Sequence, residues 1–256
     1  MVLLSACGPA STSSGTPIPP VPGWELVWHD EFDAEAIDTA NWTYDIGAGG
    51  WGNGEAQYYT SRPENARIEN GMLVIEARQE KYEDSYYTSA RLKTQGLQSF
   101  QYGRIEARIK VPVGDGLWPA FWMLGSSFDG TNWPDCGEID IMEYVGREPD
   151  LIIGTLHGPG YSGALGVSQW NRQEYAIADD FHTYTIEWKA GQIDWYYDGE
   201  KYHTDLSGRQ WVFDQPFFII LNLALGGTLG GPIGLDTAFP TQYTVDYVRV
   251  YQAAGP

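Results

Sequence analysis

The stretch GEIDIMEYVG, residues 137–146, decides how this chain is read. On a β-strand the side chains alternate, so Ile139 and Ile141 share one face while Glu138 and Asp140 share the other. Glu143 lies at an odd offset from Glu138, and a regular strand would send it to the apolar side. An unpaired carboxylate there would cost several kcal/mol. A one-residue β-bulge around Ile141–Met142 removes the conflict by turning Glu143 back beside the other two acids. The stretch therefore predicts a central strand with one face on a core and three carboxylates on the opposite face.

Working outward, residues 24–251 read as a succession of short strands separated by turn residues. Candidate strands cover 25–32, 72–78, 87–94, 103–111, 118–124, 138–144, 151–157, 182–189, 192–198, 217–225 and 243–251. Alternation is clearest in RIEARIKV, and Asp198-Gly199 within YYDGEKYH predicts a two-residue hairpin turn. Helical periodicity is nearly absent, with one turn expected in DAEAIDTANW (33–42). No repeat and no internal linker divides the strand-rich part, which is taken as one domain, residues 23–253. The pattern implies an all-β fold, a jelly-roll-like sandwich of two antiparallel sheets with a concave face open to a ligand.

Acidic residues outnumber basic ones 34 to 15, a net charge of −19. Such a surface disfavours nucleic acid, anionic lipid and sulfated or uronic polymers. The 11 Trp, 17 Tyr and 9 Phe exceed what a core alone requires and suit the stacking of rings on sugar faces. A sandwich core rich in aromatics accounts for the same composition.

The two cysteines read separately. Cys7 closes LLSAC, which resembles the lipobox of bacterial lipoproteins, and GPASTSSGTPIPPVPG follows as a tether unable to form a core. Residues 1–22 are accordingly set apart from the fold. No charged n-region precedes the box, so lipidation of Cys7 is expected in a longer precursor, and the location is extracytoplasmic, at the cell surface or secreted. Cys136, beside the acidic strand, is expected to be a packed free thiol. No segment has the roughly 18 apolar residues of a membrane span, so any membrane contact would pass through Cys7.

Three carboxylates on one face repel one another, and at least one should titrate high. Glycoside hydrolysis uses such a set: two carboxyl groups about 5–5.5 Å apart allow a retaining double displacement. A solvated acidic strand edge is the plain alternative, disfavoured by Trp118, Trp122 and Trp133 nearby in the sequence.

WPDCGEIDIMEYVG is similar to the signature of glycoside hydrolase family 16, in the bulged form of bacterial laminarinases. LVWHDEFD, WGNGEAQYYT, GRIEARIKVP, GLWPAFWMLG, GTLHGPGYSG, FHTYTIEW, LNLALGG and VDYVRVY resemble that group's blocks in order. The resemblance implies a concanavalin A-like β-jelly roll and an endo-β-1,3-glucanase, with Glu138 as nucleophile, Glu143 as acid/base and Asp140 tuning both. It further implies substrate contacts from Asn53 and Glu55 on the non-reducing side of the cleft, from Arg91, Trp118 and Trp122, and from Trp133 and His157 beside the cleavage point. Taken singly, each has a structural reading: a core Trp, a turn Asn, a satisfied His. No cofactor is expected for catalysis. A structural Ca2+ is implied at Asp246 with the carbonyls of Glu31 and Gly71, a mixed oxygen set that calcium accepts. The expected partner is a neutral β-glucan, bound by a monomer. Two other functions stay open: a relative cleaving mixed-linkage glucan or agarose, and a non-catalytic glucan-binding module, which would be expected to lack one of the three acids.

Overall fold

The computed structural model describes residues 17–206 and 208–255, so Cys7 and the lipobox-like start lie outside the described residues. Seventeen strands, numbered here in chain order, form two sheets among the described residues. The ten-stranded outer sheet runs β15 (Glu200–Leu206), β14 (Gln192–Tyr197), β13 (His182–Lys189), β8 (Gly103–Lys110), β17 (Thr241–Ala253), β5 (Met72–Tyr82), β6 (Ser85–Ser89) and β3 (Gln57–Tyr59). Two further strands join it, β1 (Trp24–Asp30) on β17 and β4 (Ala66–Glu69) on β5. The seven-stranded sheet runs β12 (Val167–Arg172), β11 (Leu151–His157), β10 (Glu138–Tyr144), β9 (Leu117–Gly125), β16 (Phe217–Leu225), β7 (Arg91–Lys93) and β2 (Thr43–Tyr44).

The expected sandwich is present, with two corrections. One pair, β3 with β6, is parallel. The single strand expected over 87–94 is two, because the chain leaves the outer sheet at Ala90 and enters the other one at Arg91. Residues 33–42 hold one turn, as expected: the Asn41 and Trp42 N–H groups donate to the Asp38 carbonyl at 3.0 and 2.9 Å, the Asp38 side chain accepts from the Ala40 N–H, and Trp42 is drawn into the core. The Asp198-Gly199 turn is as expected, both residues having positive φ, 47° and 82°.

Alternation accounts for the core. Leu73, Ile75 and Ala77 of β5 and Ile105, Ala107 and Ile109 of β8 face inward from the outer sheet. They pack against Phe121, Met123, Ile139, Ile141, Met142, Ile219, Leu221 and Leu223 of the other sheet. Each such fully buried side chain contributes about 1.5–3 kcal/mol of transfer free energy. Ile141 and Met142, adjacent in sequence, both belong to this core. Strict alternation forbids that, so the chain must bulge between them and Glu143.

On one edge of β17, Thr241–Val245 pairs with β5 and Val248–Ala253 pairs mostly with β1. Asp246 falls in the interval between them, where Gly71 precedes β5 and Glu31 follows β1.

Candidate active site

The bulge in β10 carries the site. Against β11, Asp140 is opposite Thr155 and Glu143 opposite Ile153, so three steps on one strand match two on the other. Against β9, Asp140 and Met142 face the consecutive residues Trp122 and Phe121. One residue is extra on both sides. Glu138, Asp140 and Glu143 thereby share the outer face of the seven-stranded sheet.

What holds the bulge comes from the opposite sheet. The Trp195 indole N–H, on β14, donates to the Asp140 carbonyl at 3.0 Å, taking up a backbone acceptor at the distorted position. The indole reaches that far because β11 has glycine opposite the bulge. A Cβ on Gly154 would stand 2.7 Å from Trp195 Cδ1 and 2.8 Å from Nε1. Sequence reasoning missed Trp195, since nothing local links WYY at 195–197 to EIDIME.

The three carboxylates sit among ring N–H donors with no lysine or arginine ion pair among the described residues. Glu138 accepts from Trp133 Nε1 at 2.8 Å, and Glu143 from Trp118 Nε1 at 3.1 Å and the Thr155 hydroxyl at 3.4 Å. His157 Nε2 lies 3.2 Å from Asp140 Oδ2 and 3.6 Å from Glu138 Oε1. Asp140 is 3 % exposed. Burial raises all three carboxyls above their ordinary range. Charge repulsion adds to this at Glu138, chiefly from Asp140, and at Asp140 from Glu143. His157 and the Trp133 bond oppose the rise at Glu138; His157, Trp118 and Thr155 oppose it at Glu143. Burial and mutual repulsion together favour a proton being held within the cluster. Cys136 is a buried free thiol, pushed up to about 11 by burial and the Glu138 charge, and so is inert.

The remaining expected contacts fall on one flank of β10, linked by hydrogen bonds. Trp122 Nε1 donates to Asn222 at 2.7 Å, Asn222 Nδ2 to the Tyr59 hydroxyl at 3.1 Å, and Tyr59 to Glu55 at 3.2 Å. Asn53 Nδ2 also donates to Glu55, at 3.1 Å. Arg91 lies between the Trp51 and Trp122 rings, 5.2 and 4.7 Å from their centroids, and is ion-paired to Asp45 at 2.9 Å. A cavity of about 490 Å³ adjoins Asn53, lined by Ala56, Gly227, Thr228 and Ile233 among others. Trp133 stands 42 % exposed over His157, their ring centroids 5.9 Å apart. Asn222, Tyr59, Trp51 and Thr155 escaped the sequence reading because each serves through a partner distant along the chain.

Ligand atoms of Glu138, Asp140 and His157 lie within 4.8 Å of one another, a spacing that suits proton sharing and also a cation. The set expected for calcium is elsewhere. Asp246 projects between the ends of β1 and β5, and one of its oxygens is 2.7 Å from Arg108 Nη1. The Glu31 carboxylate is taken by Arg249, which leaves that residue only its carbonyl to offer.

A two-sheet sandwich with clustered acids and exposed indoles defines a polysaccharide-cleaving enzyme of the glycosidase class. The sequence profile "Glycosyl hydrolases family 16" matches residues 53–249, and the chain belongs to that family. It is 49 % identical to a "Beta-glucanase" of Rhodothermus marinus over 246 residues, 90 % of this chain and 86 % of that one. The solved structure of an endo-beta-1,3-glucanase from Pyrococcus furiosus superposes with a TM-score of 0.88 at 48 % identity, covering 91 % of this chain and 96 % of that one. The laminarinase catalytic domain of Thermotoga maritima gives 0.88 at 46 %, covering 91 % and 99 %.

Proposed function

We propose that this protein cleaves internal β-1,3-glucosidic bonds of laminarin-type glucans with retention of configuration. The observation that carries the reading is the bulge that returns Glu143 to the face of Glu138 and Asp140. Glu143 donates its proton to the glycosidic oxygen as the bond to the anomeric carbon breaks, and the Glu138 carboxylate forms the new bond to that carbon. Glu143, now ionised, then takes a proton from water as its oxygen attacks and releases Glu138. Asp140, between the two glutamates on the strand, tunes the set through its charge, which raises Glu138 and is itself opposed by that of Glu143. Because the three acids interact, the limbs of a bell-shaped pH–activity curve belong to the cluster and not to single residues.

The deciding experiment removes the acid. Glu143→Ala should still be glycosylated by a substrate with a good leaving group, and added azide should restore turnover as a β-glycosyl azide. An α-azide would mean single displacement and overturn the mechanism. Reducing-sugar release from laminarin, lichenan and agarose in parallel tests the linkage.

Two features are proposals of lesser reach. Asp246 with the Glu31 and Gly71 carbonyls would hold calcium, supported by their convergence at the β1–β5 junction; a cation there must compete with Arg108 for the carboxylate. A chelator should then lower Tm, and Asp246→Ala should lose that response. Cys7 would carry a lipid anchor on an extracytoplasmic protein, which palmitate labelling of a full-length precursor, with Cys7→Ser as control, would test.

A further inference from the structure

We propose that Trp170 is a sugar platform on the leaving-group side of the site, stacking on a glucosyl unit of a neutral β-glucan beyond the bond that is cut. The inference rests on the endo-glucanase reading above and extends it to β12, the strand beyond His157 and β11, which no expected contact reached. Strand β12 pairs with β11 in unbroken register, Ser168 opposite Thr155 and Trp170 opposite Ile153. The Thr155 hydroxyl lies 3.4 Å from the Glu143 carboxylate and 3.1 Å from Ser168 Oγ, which fixes Thr155 and Ser168 on the face of the acids. Side-chain alternation then puts Trp170 on that same face, while Val167, of opposite parity, packs on the inter-sheet core. Ile153 pairs with Glu143 on its other side. The row across the sheet therefore reads Glu143, Ile153, Trp170.

Two strand spacings separate Trp170 from Glu143, roughly 10 Å, on the order of two sugar rings along a chain lying across the strands. Asn53, Glu55, Arg91, Trp118 and Trp122 all lie on the opposite flank of β10, toward β9, β16 and β7. A polymer cut at Glu143 must extend over both flanks, and the β11–β12 flank offers Trp170 with 59 % of its surface exposed. Its neighbour Arg172, on the same face, is held by Glu148 at 2.8 Å and Asp150 at 2.7 Å, so two acids more than cancel its charge. An anionic polymer would be repelled there. A neutral sugar with an apolar ring face matches an indole flanked by Ser168 and that neutralised arginine.

The test compares laminarin with an activated aryl β-glycoside of a laminari-disaccharide, whose leaving group stops short of β12. Trp170→Ala should lose kcat/KM on laminarin about tenfold more than on the aryl glycoside, an effect of about 1.4 kcal/mol, carried mainly in KM. Trp170→Phe, which keeps a ring, should recover most of it. Equal losses on both substrates would show a structural role, and no loss on laminarin would show an idle surface ring or a docking point for another protein. Either result overturns the proposal. Should the wild-type protein not cleave laminarin, the activity reading falls by itself. The ring is then judged by calorimetric binding of laminarihexaose to Glu138→Gln, where equal affinity with and without Trp170→Ala rejects it.

Discussion

The two sheets treat buried carboxylates in opposite ways. On the outer sheet Glu76 is 4 % exposed and is ion-paired to Arg67 at 2.9 Å and to Arg78, with Gln242 Nε2 donating at 3.0 Å. Burial alone would raise its carboxyl, but the bonds from Gln242 and Arg67 and the fields of both arginines pull it below the ordinary value. On the seven-stranded sheet Asp140 is as deeply buried, yet its neighbours are other acids, indole N–H groups and His157. There burial prevails and the carboxyls rise. The first arrangement stabilises a fold; the second stores charge repulsion where a proton has to move. The lesson is that burial raises a carboxyl on either sheet, and its partners decide whether that rise survives.

The largest break in this contrast should come from Glu138→Gln. Turnover should fall by roughly three orders of magnitude or more, while Tm holds or rises because one member of a repelling set has become neutral. A clear loss of Tm would show that the acids support the fold and would erase the distinction between the sheets.

Trp195→Phe keeps an aromatic ring on β14 but removes the N–H held by the Asp140 carbonyl, together with the five-membered ring that lies against Gly154. The unpaired carbonyl costs about 1–3 kcal/mol. If the bulge loosens, kcat on laminarin should drop about tenfold and the pH–activity limbs should move, with a smaller drop on an activated aryl glycoside that needs little protonation. A variant that is merely less stable, with both substrates and the pH profile unaffected, would assign Trp195 to packing alone.

On the outer sheet, Arg67→Ala with Arg78→Ala leaves Glu76 buried without a cation. Both arginines are partly exposed, so the expected loss is about 1–3 kcal/mol in urea unfolding, with kcat/KM unchanged. Loss of activity at full stability would contradict the division of labour.

The smallest effect is in pH dependence. Glu76, lowered when folded, contributes stability above the ordinary carboxylate range that is lost as pH falls through its folded value. The acid cluster, raised when folded, binds more protons than the unfolded chain, so its contribution worsens as pH rises through and above the ordinary range. Asp140→Asn should therefore raise Tm at neutral pH by a few degrees, since roughly 1 kcal/mol shifts Tm by about 2–4 °C in a domain of this size. The gain should shrink toward pH 4. A gain independent of pH would mean that packing, and not charge, had changed.

The sequence alone determined the sandwich, the central place of the acidic strand and the need for a bulge. Those follow from a period of two and from the cost of burying Glu143 beside Ile139 and Ile141, both of which are local properties. The hairpin at Asp198-Gly199 was legible for the same reason. The turn expected at 33–42 closes at Asp38–Trp42, but the burial of Trp42 and its bond to Asp30 across the loop are contacts that no propensity describes. Strand β12 stayed invisible, VSQWNR being a polar edge strand whose pairing comes entirely from β11. VIEAR sets Arg78 two positions from Glu76 on one strand face, while EIDIME offers its acids no cation; the remaining partners are remote. Glu76 takes a hydrogen bond from Gln242, 166 positions away, and the Asp140 carbonyl takes one from Trp195, 55 positions away. Only the tertiary structure decides such pairings, because a partner's identity depends on which strands the two sheets lay across one another, and that in turn decides which carboxylates hold a proton.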